Sequence, residues 1–119
     1  MRRALRSAPT ADPNDFRDQP GIAPVALANA FHQLLHAPTF EDGVIATVRL
    51  GSDTDTNAAI CGSLLGAIQG RDALPAQWRR MVLSCRPMPG HPSVEQPRPA
   101  MFWPTDALEL AEALLLVGE

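Results

Sequence analysis

Two carboxylates and two hydroxyls follow one another directly in Gly51-Ser52-Asp53-Thr54-Asp55-Thr56. These are hard oxygen donors, the ligands that Mg²⁺, Mn²⁺ and Ca²⁺ prefer. With the turn folded so that Asp53 stands just before a helix, Asp55 and Thr56 project from its first turn. The three oxygens can then converge on one cation, or Asp55 can bridge two. Gly51 and Ser52, in the turn that leads in, are candidates for substrate contact. Asp and Thr are also good N-cap and first-turn residues that suit the helix dipole, so D-T-D-T alone reads more simply as helix capping. The residues that follow shift the balance. A cap needs one such side chain, whereas here four polar groups precede a helix almost bare on one side, which belongs in a core. Acidic groups at a buried helix end call for a cation or for hydrogen-bond donors.

The elements that must position this segment are helical. Ala58, Gly62, Gly66 and Gly70 recur every fourth residue and leave a ridge without side chains, along which another helix can approach closely. Two interior glycines each cost about 1 kcal/mol relative to alanine, which close packing explains better than helix propensity does. This helix runs from the Asp-Thr segment to about Ile68. Before it, Val25, Ala28, Phe31, Leu34 and Leu35 share one face of a helix from Pro24 to His36. Pro38 ends that helix. Thr39 with Asp42 resembles a capping box for the next, whose apolar stripe is Phe40, Val44, Ile45 and Val48, with Gly51 stopping it. Pro75 opens a fourth helix that turns Trp78, Met81, Val82 and Cys85 inward. A connector from Pro87 to Pro104 lacks periodicity, with Phe102-Trp103 pinning its far end to the core. Asp106 with Glu109 caps a last helix, Leu108 to Val117. No run alternates with period two, so the fold class expected is all-α.

The 119 residues carry 45% hydrophobic and 19% charged residues, enough apolar material for one packed core and too short a chain for two domains. A net charge of −3 supplies no basic field for nucleic acid or an anionic membrane. Arg2, Arg3 and Arg6 are not followed by an apolar stretch of the kind a targeting signal needs, and Pro9 and Pro13 interrupt the segment. Residues 1–20 are therefore read as a flexible lead-in. The longest apolar run, Ala58 to Ile68, is too short to cross a bilayer. Cys61 and Cys85 are read as buried small hydrophobes without a disulfide framework, which fits a reducing cytoplasm.

Other chemistry is weaker. His32 and His36 have the i, i+4 spacing of a two-histidine metal face, with His91 conceivable as a third ligand, but no Glu stands between them as in H-E-x-x-H. They are read as solvated rim histidines. Ser63 and Ser84 lack a nucleophile elbow, and Gly62-Ser63-Leu64-Leu65-Gly66 lacks the Lys of a phosphate loop. Trp78 and Trp103 are read as core anchors.

GSDTDTNAAICGSLLGAIQG, followed by ALPAQW at residues 73–78, resembles the C-terminal signature of the ADP-ribosylglycohydrolase family: G-[GS]-D-T-D-T, a small-residue helix, then [IL]-P-x-x-W. GIAPVALANAFHQLLHAPTFEDGVIATVRL upstream, and RPMPG and FWPTDALELAEALL downstream, resemble the segments flanking that motif, so the likeness spans residues 21 to 117. It implies a multi-helix orthogonal bundle whose cleft holds two Mg²⁺ or Mn²⁺ ions. It also implies hydrolysis of the N- or O-glycosidic bond between ADP-ribose and a protein side chain or small acceptor. On this resemblance Asp53, Asp55 and Thr56 are metal ligands, with Asp55 bridging.

The chain departs from the family in lacking its N-terminal Thr-Asp-Asp ligand segment and its acidic catalytic residue, which leaves no catalytic group beyond the metal ligands. The expectation is therefore a C-terminal fragment of about five helices over residues 21–119, inactive alone and completed by a missing N-terminal half or by self-association. The alternative is a non-catalytic fragment or degenerate relative acting as an interaction module. In either case the ridge around Gly62 and Gly66 is expected to lie uncovered.

Overall fold

The structure is a computed structural model and describes residues 6, 8–12 and 23–117. From residue 23 onward the chain is a succession of helices: α1 (Ala23–His36), α2 (Phe40–Arg49), α3 (Thr54–Gln69), α4 (Ala76–Leu83) and α5 (Ala107–Leu116). Single 3₁₀ turns lie at Arg71–Ala73, Ala100–Phe102 and Pro104–Asp106. No strand occurs among the described residues, so the fold is all-α. Nor, among them, is any helix long and apolar enough to cross a membrane. The chain divides into two compact units, Met1–Leu74 and Pro75–Glu119. Most of the 1–20 lead-in lies outside the described residues.

In the first unit α1 and α2 both pack on α3, and touch each other less. Local chemistry sets the boundaries. Thr39 is the N-cap of α2: its Oγ1 accepts from the Asp42 N–H at 3.1 Å and donates to Asp42 Oδ2 at 2.6 Å, the expected capping pair. α3 ends at Gly70, whose φ of 81° is left-handed.

Two expectations about packing are corrected. The glycine ridge of α3 is covered by this chain itself: a Cβ on Gly62 would meet Phe40 Cζ at 3.6 Å and Val44 Cγ2 at 3.7 Å, and one on Gly66 would meet Phe40 Cε2 at 3.7 Å. The Phe40 ring of α2 lies along the ridge, so the two positions keep ordinary van der Waals spacing. The tight spot is on α2, where a Cβ on Gly43 would stand 2.6 Å from Leu65 Cδ1 and 3.2 Å from Ala37 Cβ. The second correction concerns α1, which buries Ala26, Ala28, Asn29, Ala30 and Gln33. Of the expected stripe only Ala28 is buried; Val25, Phe31 and Leu34 are half-buried and Leu35 is 56% exposed. Small residues win because the crowding at Gly43 shows how little room remains between the helices, and bulky side chains would force them apart.

The buried polar groups of this unit are satisfied by one another. Asn29 Nδ2 donates to Thr47 Oγ1 at 3.0 Å, Gln33 Nε2 to Asn29 Oδ1 at 3.3 Å, and Thr47 Oγ1 to the Gly43 carbonyl at 2.9 Å. The same carbonyl receives the Cys61 thiol at 3.8 Å.

In the second unit α4 starts behind Pro75, whose carbonyl accepts from the Arg79 N–H at 3.1 Å. Met81, Val82 and Cys85 are exposed, contrary to the inward orientation expected of them. An eight-residue helix interleaved with Gln77, Arg79 and Arg80 packs within its unit mainly on the Pro104–Asp106 turn, which is too little to cover both sides. The connector folds back on itself: the Arg98 N–H donates to the Pro87 carbonyl and Trp103 Nε1 to the Arg98 carbonyl, each at 2.9 Å. Arg86 lies 5.8 Å from the Trp103 ring centroid and donates from Nη1 to the carbonyls of Leu83 and Cys85, closing the end of α4. Trp103 is thus an anchor for the connector, whereas Phe102 is 66% exposed. Asp106 makes no side-chain cap, because the Pro104–Asp106 turn runs straight into α5 with the Ala107 N–H already bonded to the Pro104 carbonyl.

Candidate functional site

The Gly51–Thr56 segment is a sharp reversal between α2 and α3. The Gly51 N–H closes on the Val48 carbonyl at 3.1 Å, and the chain then takes two left-handed residues in succession, Gly51 at φ 81° and Ser52 at φ 64°. A Cβ on Gly51 would have nothing within 4 Å, so glycine is needed there for its dihedral and not for space. Ser52 is the one described non-glycine residue with positive φ, which gives a physical reason for the Gly that alternates with Ser at this position of the motif. The Thr54 N–H returns to the Ser52 carbonyl at 3.0 Å and the Asn57 N–H to the Asp53 carbonyl at 3.0 Å, so Asp53 is the N-cap residue of α3 by its backbone.

Its side chain does not cap. Asp53 makes no side-chain hydrogen bond to the helix N-terminus, and its carboxyl neighbours that of Asp55. The capping explanation for this residue type therefore does not apply to its carboxylate. Asp55 Oδ1 also accepts from the Thr56 N–H at 2.9 Å. Hydrogen bonding from Asp53, then from the Thr56 N–H, holds the Asp55 carboxyl below its ordinary value of 3.8.

The structure brings Asp53 and Asp55 together and places Thr56 on the same first helical turn. Contrary to the buried helix end expected, this turn opens to solvent: Asp55 and Thr56 are exposed and Asp53 is half-buried. Among the described residues no three His, Cys, Asp or Glu side chains gather as a metal cage. The donor set present is two carboxylates and one hydroxyl. It fits a hard divalent ion by oxygen chemistry, and it leaves about half of a six-coordinate shell to water or other groups. His32 and His36 are used differently: Nδ1 of His32 donates to the Ala8 carbonyl and Nε2 of His36 to the Pro9 carbonyl, both at 2.9 Å, with the rings 4.5 Å apart. They hold residues 8–9 against α1.

The sequence model of the ADP-ribosylglycohydrolase family matches residues 1–117, nearly the whole chain. The chain belongs to the ADP-ribosylglycohydrolase family. It is similar to the ADP-ribosyl-[dinitrogen reductase] glycohydrolase of Rhodospirillum rubrum, 34% identical over 70 residues. The match covers 54% of this chain and 24% of that relative, so it spans about a quarter of the relative's length. No solved structure matches the chain. Membership in the ADP-ribosylglycohydrolase family agrees with the all-helical fold and with the resemblance carried by the Gly51–Thr56 segment.

Proposed function

We propose that this chain supplies the Asp53–Asp55–Thr56 part of a divalent-metal site that serves hydrolysis of the glycosidic bond between ADP-ribose and an acceptor. The observation that carries the reading is the gathering of Asp53, Asp55 and Thr56 at the open N-terminus of α3, where the Asp53 carboxyl makes no side-chain cap. When bound, Mg²⁺ or Mn²⁺ supplies Lewis acidity for activating a water and for positioning ribose hydroxyls. Asp53, Asp55 and Thr56 would hold the cation through their side-chain oxygens. Gly51 and Ser52 bring backbone close to the site and are the positions for substrate contact. The acceptor is proposed to be a modified protein side chain, by analogy with the relative named for dinitrogen reductase.

Mn²⁺ binding by electron paramagnetic resonance tests the reading on the chain itself. The expectation is weak binding that Mg²⁺ competes away, lowered at least tenfold by Asp55→Asn or Asp53→Asn, the order that loss of a ligand or its partner gives. Mn²⁺ affinity indifferent to both substitutions would refute the site. Release of ADP-ribose from an ADP-ribosylated protein with Mg²⁺ tests the activity.

A second reading, an interaction module, draws support from the exposed apolar side chains of the second unit, among them Met101 at 83%, Leu115 at 78% and Val117 at 84%. Size-exclusion chromatography separates the two: a monodisperse monomer argues against it.

A further inference from the structure

The face of α1 that enters the core is the less apolar one. Successive residues of a helix turn by about 100°, so Leu35 stands about half a turn round from Ala26. Ala26 is 5% exposed and Leu35 is 56% exposed. Between those limits the buried side carries Asn29, Ala30 and Gln33, and the outward side carries Phe31 and Leu34, which are half-buried, together with Ala28, which is 4% exposed. Hydrophobic burial alone favours the opposite setting, with Phe31, Leu34 and Leu35 turned in at a wider helix spacing. Alanines do little to resist such a roll, because their side chains offer no bulk to catch on a neighbouring helix.

The group that distinguishes the two settings is polar. Asn29 is 2% exposed and Thr47 is 1% exposed. The Asn29 Nδ2 to Thr47 Oγ1 bond of 3.0 Å links α1 to α2 across 18 positions of sequence, and Gln33 and the Gly43 carbonyl complete the chain on either side. Rolling α1 outward would strip Asn29 from Thr47 and leave the Thr47 hydroxyl only its bond to the Gly43 carbonyl of its own helix. The hydrogen bond that ties α1 to α2 is then lost, and the apolar face of α1 offers no polar group to replace it. We propose that the Asn29–Thr47 hydrogen bond is a rotational lock: it sets which face of α1 meets α2 and α3, and it keeps Phe31, Leu34 and Leu35 turned outward. This is a conformational device in the first unit, independent of the metal reading above.

The test uses two cysteine reporters on the full chain in a Cys85→Ser background, with labelling by iodoacetamide resolved by peptide mass spectrometry. Leu35→Cys reports on the outward face and Ala26→Cys on the buried one. In the otherwise unaltered core the first labels fast and the second slowly. With Asn29→Leu and Thr47→Val installed together, the lock predicts that labelling at position 35 slows and labelling at position 26 quickens, each by about tenfold or more. Thr47→Ser keeps the hydroxyl and should keep the original rates. Unchanged rates in the double variant overturn the proposal. So does fast labelling at both positions, which would mean that the bond stabilises the core without choosing its face. So does a roll in the Thr47→Ser protein.

Discussion

Gly43→Ala sets two known effects against each other, with opposite signs. In a helix interior alanine is favoured over glycine by about 1 kcal/mol, so on propensity alone the substitution stabilises α2. Packing says the reverse. The new methyl would arrive 2.6 Å from Leu65 Cδ1, 3.2 Å from Ala37 Cβ and 3.5 Å from Gln33 Cβ. Leu65 must withdraw by about 1 Å to restore carbon–carbon contact near 3.5 Å. It has nowhere exposed to go, because it is 0% accessible. Ala37 has no rotamer to change, so its Cβ moves only with backbone. Overpacking of this kind costs about 1–3 kcal/mol, which leaves a net loss of up to about 2 kcal/mol after the propensity gain. Urea unfolding followed by far-ultraviolet circular dichroism measures it. Leu65→Val removes the atom that clashes, so combining it with Gly43→Ala should lose less than the two single losses added, with a coupling of about 0.5–3 kcal/mol. A Gly43→Ala protein as stable as the parent or more stable, or two losses that simply add, would refute the claim that the three helices of the first unit meet at this point without slack.

Three further outcomes can be checked. Ser52→Gly relieves a left-handed residue worth about 1–2 kcal/mol of strain and loses about 0.5–1 kcal/mol to added chain entropy, so it should raise stability by about 0.5–1 kcal/mol in urea melts. Ser52→Val should lower it. Of the two free thiols, Cys85 is exposed and Cys61 is fully buried, so one equivalent of a thiol reagent should react promptly and the second only in denaturant. Burial raises the Cys61 thiol above its ordinary value of 9.0. The unfolded chain therefore ionises first, and stability should fall as pH rises past 9.0, a slope that Cys61→Ala removes in pH-dependent melts.

Helix positions were legible from the sequence because the punctuation is local: Thr39 with Asp42 begins α2, left-handed Gly51 and Gly70 lie just past the ends of α2 and α3, and Pro75 precedes α4. Faces were less legible. Periodicity ranks residues by hydrophobicity, but α1 turns in the side that fits a narrow gap and can satisfy Asn29, a requirement set by Gly43 and Thr47 on another helix. The same blindness to partners placed the closest approach at Gly62 and Gly66, where the Phe40 ring fills the space that a whole helix was expected to take. The turn at the candidate site was readable from Gly51, whereas the pairing of Asp53 with Asp55 depends on the dihedrals of Ser52 and Asp53, which residue type does not fix.

The placement of the aromatic residues decides what each optical signal can see. Both tryptophans, Trp78 and Trp103, lie within Pro75–Glu119, and the chain contains no tyrosine. Intrinsic emission excited at the indole band therefore watches the second unit alone, with Trp103 under the Arg86 guanidinium as its built-in chromophore. The three-helix unit that carries Asp53 and Asp55 is dark in that channel and visible only through its amide absorption. Superimposable urea curves from the two channels would reveal one cooperative transition for the whole chain, and separated curves would give each half its own midpoint without any label being added.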